Sequence, residues 1–157
     1  MADDPIARIE RSLVALVRRA TDPRGNRQIN ALAGVDIERA ASVMLARIEE
    51  LEPARLSQLA DAVGVDISTA SRQVGRLVEA GLVARDPDPD DGRASAHRLT
   101  ESGVDLRRRL ATARRAWFEQ KLEEFSPVER RRLAELLERF MERMGDDDTS
   151  GRSTTSA

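Results

Sequence analysis

Apolar side chains recur every three or four residues in six stretches of this chain, and each stripe predicts one face of a helix. The first, Ile6, Ile9, Leu13, Leu16 and Val17, follows Asp4-Pro5, a capping side chain with proline in the first turn, and continues to about Ala20. Thr21 to Gln28 reads as a loop, because Asp22-Pro23-Arg24-Gly25-Asn26 is made of turn residues. A second stripe, Ile37, Ala40, Ala41, Met44, Leu45 and Ile48, opens at a capping Asp36 and is stopped by Pro53.

The centre of the chain has a denser grammar. Ser57 precedes Leu59, Ala60 and Val63, a short amphipathic run that stops at Gly64, a residue that tolerates the left-handed backbone of a tight turn. Asp66 caps a second short helix with apolar positions Ala70, Val74, Leu77 and Val78, and Gly81 ends it. Leu82 to Arg85 is a strand candidate, Asp86 to Gly92 is rich in turn residues, and Ala94 to Leu99 returns as a second strand. Ala54-Arg55-Leu56 suits a small extra strand beside that hairpin. Helix, tight turn, helix and hairpin together spell a winged helix-turn-helix head over about residues 54–100.

Thr100 begins the longest helical pattern, with Val104, Leu106, Leu110, Ala113, Trp117 and Phe125 at spacings of three and four or their sums and Arg107-Arg108-Arg109 on other faces. Ser126-Pro127-Val128-Glu129 is a capping box that opens a separate last helix. Along it Leu133, Leu136, Leu137, Phe140, Met141 and Met144 form a stripe too large for so small a monomer to cover easily, and Gly145 ends the pattern. Residues 146–157, acidic and then Ser/Thr-rich, are expected to be disordered. A length of 157 residues predicts a single domain over residues 1–145.

Composition narrows the chemistry. Without cysteine there is no disulfide or thiolate metal site, and the single histidine, His97, makes a transition-metal centre unexpected; no cofactor is expected either. There is no second histidine, phosphate-cradling glycine loop or nucleophile elbow, so no catalytic residues are nominated and an enzyme is not expected. No apolar run reaches membrane-span length and the start carries Asp3 and Asp4, which predicts a cytoplasmic protein. A net charge of −2 argues weakly against a nucleic-acid binder. Sidedness outweighs the total, however, because DNA senses the local face it meets. Nearly every cation is arginine, with Lys121 the only lysine, and arginine makes bidentate contacts to phosphate and guanine.

The head resembles the MarR (multiple antibiotic resistance regulator) transcription factors. The resemblance rests on Leu59-Ala60, on Ser68-Thr69-x-Ser71-Arg72 opening the recognition helix, and on Leu77-x-x-x-Gly81-Leu82-Val83 closing it. Asp91-x-Arg93 at the wing tip and Leu99-Thr100-x-x-Gly103 complete it. It extends loosely over Pro5 to Met144. It implies a mainly α fold with a small β-hairpin wing (α+β), and helices over about residues 5–20 and 100–144 that join two protomers. It also implies a regulator of transcription, more often a repressor than an activator, that answers to a small-molecule effector whose pocket the sequence does not identify.

The expected partners are therefore double-stranded DNA and a second copy of the chain. Ser68, Thr69, Ser71, Arg72, Gln73 and Arg76 form the candidate reading surface, with arginine suited to guanine and Gln73 to adenine. At the wing, resemblance assigns Arg93 to the minor groove and Asp91 to holding it, while Gly92 replaces a frequent arginine. Ser57 and Arg98 are candidate phosphate contacts, and Asp86, Asp88 and Asp90 are expected to repel DNA and make affinity salt-sensitive. His97 reads as a half-exposed strand residue, or as a pH-dependent phosphate contact. The bland alternative for Arg72 and Arg76 is a solvated face paired with nearby acids; for the whole head it is a protein-interaction module without DNA binding.

Overall fold

The computed structural model describes residues 4–20, 22–88 and 95–150. In chain order the elements are α1 (Pro5–Ala20), α2 (Pro23–Ala33), α3 (Arg39–Leu51), β1 (Ala54–Arg55), α4 (Leu56–Val63), α5 (Ile67–Glu79), β2 (Val83–Pro87), β3 (Ser95–Leu99), α6 (Glu101–Lys121) and α7 (Pro127–Ser150). They fall into two compact units, Met1–Trp117 and Phe118–Ala157, where length alone predicts one domain.

In the first unit, α3, α4 and α5 bury their apolar stripes against one another and against the sheet. Met44, Leu45, Ile48 and Leu59 are fully buried, and Ala70, Val74 and Leu77 of α5 complete the cluster with Val83 and Leu99 from the strands. Each large apolar side chain so buried contributes about 1.5–3 kcal/mol. Val78, placed by the spacing on this stripe, is exposed at its edge. The sheet runs β1-β3-β2, all antiparallel, with Arg55 opposite Ala96 and Asp86 on the far side of that same residue. Thus the small extra strand exists, though Leu56 opens α4 instead of extending it.

Three elements differ from expectation. The stretch from Asp22 to Gln28 is not a loop, because it opens α2: Asp22 Oδ1 accepts from the Arg24 N–H at 2.8 Å and Pro23 occupies the first turn. The same cap-and-proline signal marks α1; at Asp22 the turn residues Gly25 and Asn26 mask it, and Asn26 has a tertiary partner. Asn26 and Asn30 donate their side-chain amides to Ile37 O at 3.1 and 2.8 Å. Glu38, not Asp36, occupies the N-cap of α3. The strand β2 continues through Asp86 and Pro87, residues that suit an edge strand as well as a turn.

On α6 the buried positions are Gly103, Arg107, Leu110 and Ala113, while Val104 is exposed and Phe125 lies beyond the helix. Arg107 reaches Glu49 of α3, with Nε and Nη2 at 3.1 and 3.0 Å from Oε2. Arg109 caps the end of α2, its guanidinium donating to Ala33 O at 2.7 Å and Gly34 O at 2.8 Å, where Gly34 adopts φ +62°. These two arginines, placed by the spacing off the apolar stripe, belong to the fold.

In the second unit the capping box forms as expected: Ser126 N–H donates to Glu129 Oε2 at 2.8 Å and Glu129 N–H to Ser126 Oγ at 3.3 Å. Its α7 continues past Gly145 to Ser150, so the helix includes the first residues expected to be disordered. A mid-helix glycine costs about 1 kcal/mol relative to alanine, a penalty and not a stop. Residues 151–157 lie outside the described residues. Leu136, Leu137, Phe140, Met141 and Met144 are all exposed on α7, as are Ile6, Ile9, Leu16 and Val17 on α1.

A Cβ at Gly103 would stand 2.1 Å from Leu82 O, a backbone atom that cannot swing away. Gly103→Ala should therefore destabilise by about 1–3 kcal/mol, seen as a thermal midpoint lowered by roughly 3–10 °C. An unchanged midpoint would show that α6 does not pack this closely on Leu82.

Candidate nucleic-acid interface

The turn between α4 and α5 is built from two local devices. Gly64, at φ +73°, closes α4 with its N–H on Ala60 O at 2.9 Å. Asp66 opens α5, accepting from the Thr69 N–H at 2.8 Å and from the Thr69 hydroxyl at 2.8 Å, and the Ser68 hydroxyl also donates to it. The Ser68 hydroxyl first, then the two Thr69 donors, hold the Asp66 carboxyl far below the usual carboxylate range. Ser68 and Thr69, nominated as DNA contacts, thus already serve the cap; their oxygens remain able to accept.

Beyond the cap, α5 separates its faces cleanly. Ala70, Val74 and Leu77 are buried, while Ser68, Ser71, Arg72 and Arg76 are exposed. Arg72 donates to Thr69 Oγ1 at 3.3 Å, a neutral partner that leaves its charge unmatched, and Arg76 has no ion-pair partner among the described residues. Both lie on a solvated face, as the alternative reading has it, but the pairing with nearby acids does not form among the described residues. Gln73 differs from the group: it is half-buried, and its Oε1 is buried without a hydrogen-bond partner among the described residues.

At the base of the wing the acids are matched internally. Asp88 is buried and accepts from Arg55 Nε at 2.6 Å and Nη2 at 2.9 Å. Asp86 pairs across the strands with Arg98, and that carboxylate raises the arginine's pKa. Two of the three acids expected to repel DNA are therefore neutralised, which weakens the expectation of unusual salt sensitivity. The same pairing engages Arg98, a nominated phosphate contact, whereas Ser57 stands exposed in the first turn of α4. Asp90, Asp91 and Arg93 lie outside the described residues.

His97 is neither half-exposed nor available to phosphate. It is buried in β3, and Nδ1 lies 3.2 Å from Ala54 O of β1, so the ring is the tautomer with hydrogen on Nδ1. Burial lowers its pKa, with the nearby Arg85 charge acting in the same direction and the Ala54 bond opposing. An open cleft of about 610 Å³ lies beside it, lined among others by Ser71, Val74 and Val78 of α5 and by Leu56, Arg85 and His97. The pairing of Arg55 with Asp88 and the cleft were missed by sequence reasoning. Each depends on strand pairing between residues more than thirty positions apart, and no local pattern signals it.

The model of the MarR family matches residues 37–95. Over 139 residues, 87% of this chain and 93% of the relative, the chain is 36% identical to YxaD of Bacillus subtilis, named as an uncharacterized HTH-type transcriptional regulator. It is 30% identical over 83 residues, 53% of this chain and 50% of the relative, to IacR of Pseudomonas putida, named as an HTH-type transcriptional repressor. The structure of a MarR family protein from Bacillus stearothermophilus superposes with a TM-score of 0.80 at 23% identity, over 92% of this chain and 99% of that one.

As the sole histidine, His97 gives the head an assignable titration. Because its folded pKa lies below the ordinary 6.5, its contribution to stability is complete above pH 6.5 and is lost as pH falls further, the unfolded chain binding the proton more readily. The thermal midpoint should fall between about pH 7.5 and 5.5, and His97→Gln should flatten that slope. Equal slopes in both proteins would assign the titration elsewhere.

Proposed function

Because this chain belongs to the MarR family of winged-helix, DNA-binding transcriptional regulators, we propose that it is a homodimeric repressor that reads a palindromic operator. In this reading α5 enters the major groove, where Arg72 or Arg76 takes a guanine and Ser71 a phosphate or base edge. The hairpin of β2 and β3 carries Arg93 into the adjacent minor groove, whose negative potential draws a guanidinium, with Asp91 orienting it. The observation that carries the proposal is the exposed arginine pair, without an acidic partner among the described residues, on a helix whose opposite face is buried in the head.

Supporting the repressor is the name of the Pseudomonas putida relative. Dimerisation and response to small ligands are typical of the family. The exposed apolar stripes of α1 and α7 suit a dimer interface, since a protein of this size does not leave such rows in water without a partner. The cleft beside α5 has room for a small organic effector, which would press on the flank of the recognition helix. No helix among the described residues is long and apolar enough to cross a membrane, and in this reading the protein works in the cytoplasm, where its operator is.

Selection of bound duplexes from a random-sequence library tests this reading. The expected winner is a palindrome with half-sites roughly 10 bp apart, and Arg72→Ala should bind it about tenfold or more weakly with relaxed preference at one base pair per half-site. A monomer bound to one asymmetric half-site would sink it.

Sedimentation at micromolar concentration should show a dimer, and Phe140→Glu with Met141→Glu should shift it to monomer. A wild-type monomer would remove the role given to α7.

A further inference from the structure

We propose that Arg55 and Asp88 are positioning residues for DNA recognition: their ion pair ties the far strand of the wing to the base of the head and so sets the angle at which the wing tip meets the minor groove. The inference rests on the reading above that the wing contacts DNA.

Arg55 is held on both sides before its side chain does anything. Its Cα is paired with Ala96 at the end of β1, and its N–H donates to Gln58 Oε1 at 2.9 Å in the first turn of α4. From that fixed point the guanidinium makes two contacts to one carboxylate, Nε to Oδ2 at 2.6 Å and Nη2 to Oδ1 at 2.9 Å. A forked pair fixes the plane of both groups as well as their separation. In the sheet order β1-β3-β2 these two residues belong to opposite sides, so the pair spans β3.

Its place along the hairpin matters more than its strength. Asp88 follows Pro87, the last residue of β2 in register with β3, and is only 5% exposed. Pro87 and Ser95 are the last paired positions among the described residues, so the Arg55–Asp88 pair is a further anchor at the root of the hairpin. A two-stranded ribbon twists easily on its ladder alone. Stability does not require a charge here, since well-packed apolar side chains commonly replace a buried ion pair without loss. What an apolar pair would lack is a defined direction.

Asparagine at 88 separates positioning from charge repulsion. It keeps the shape and removes one negative charge beside DNA, so repulsion alone predicts tighter binding of Asp88→Asn, whereas positioning predicts weaker binding. With the full chain and the selected palindromic duplex at fixed salt, Asp88→Asn and Arg55→Gln should each weaken binding about tenfold. Hydroxyl-radical protection and base preference should be lost at the flanks that the wing covers and kept at the base pairs read by α5. The exchanged pair, Arg55→Asp with Asp88→Arg, should recover part of the loss. Unchanged or tighter binding by Asp88→Asn, or a loss spread evenly over the site, would overturn the proposal. Flank protection that survives Arg93→Ala would instead show that the wing does not read DNA, and the positioning role would fall with that reading.

Discussion

Gly103 lies against the Leu82 carbonyl with no space for a side chain, and the working parts of the head meet at that contact. Just before it, α5 ends and Gly81 turns at φ +71°; just after it, β2 begins. On the other segment β3 ends at Leu99 and α6 begins at Glu101. Thr100 joins the two: its N–H donates to Leu82 O at 3.1 Å, and its hydroxyl donates to Gly81 O at 2.7 Å while accepting from the Gly103 N–H at 3.1 Å. The recognition helix, the wing and the long helix therefore share one joint, and none of them can tilt without breaking it.

A net charge of −2 in a DNA-binding protein becomes intelligible once the arginines are sorted by what they touch. Arg107 and Arg109 fasten α6 to α3 and α2, and Arg55 and Arg98 neutralise acids at the root of the wing. Arg72 and Arg76 on α5 are left exposed without an acidic partner among the described residues. Two positive charges thus stand where a helix can enter a groove, and the net total conceals them. The preference for arginine over lysine fits both tasks, since a planar fork grips a carbonyl pair or a carboxylate as well as it grips a phosphate.

Much of this was legible in the chain itself, because the signals concerned are local. Gly64, Asp66 and Gly81 each act within one turn, and the helix-turn-helix and hairpin appear where they place them. The capping box at Ser126 formed for the same reason. What sequence reasoning missed depends on partners far along the chain. Asp22-Pro23 opens a helix because Asn26 and Asn30 find Ile37, and Arg107 is buried because Glu49 waits 58 positions away. Among the site residues, Ser71, Arg72 and Arg76 are where the helical period puts them. Gln73 turned inward and His97 was sealed by β1, outcomes that depend on neighbours no periodicity describes.

The Arg55–Asp88 pair also constrains how this sequence can drift. Losing Arg55 takes the forked contact away from a nearly buried carboxylate, and losing Asp88 takes it from a half-exposed guanidinium, so a substitution at one position favours a matched change at the other. Descendants of this chain should keep both residues or exchange both together, which makes two positions 33 apart in the chain behave in inheritance as one.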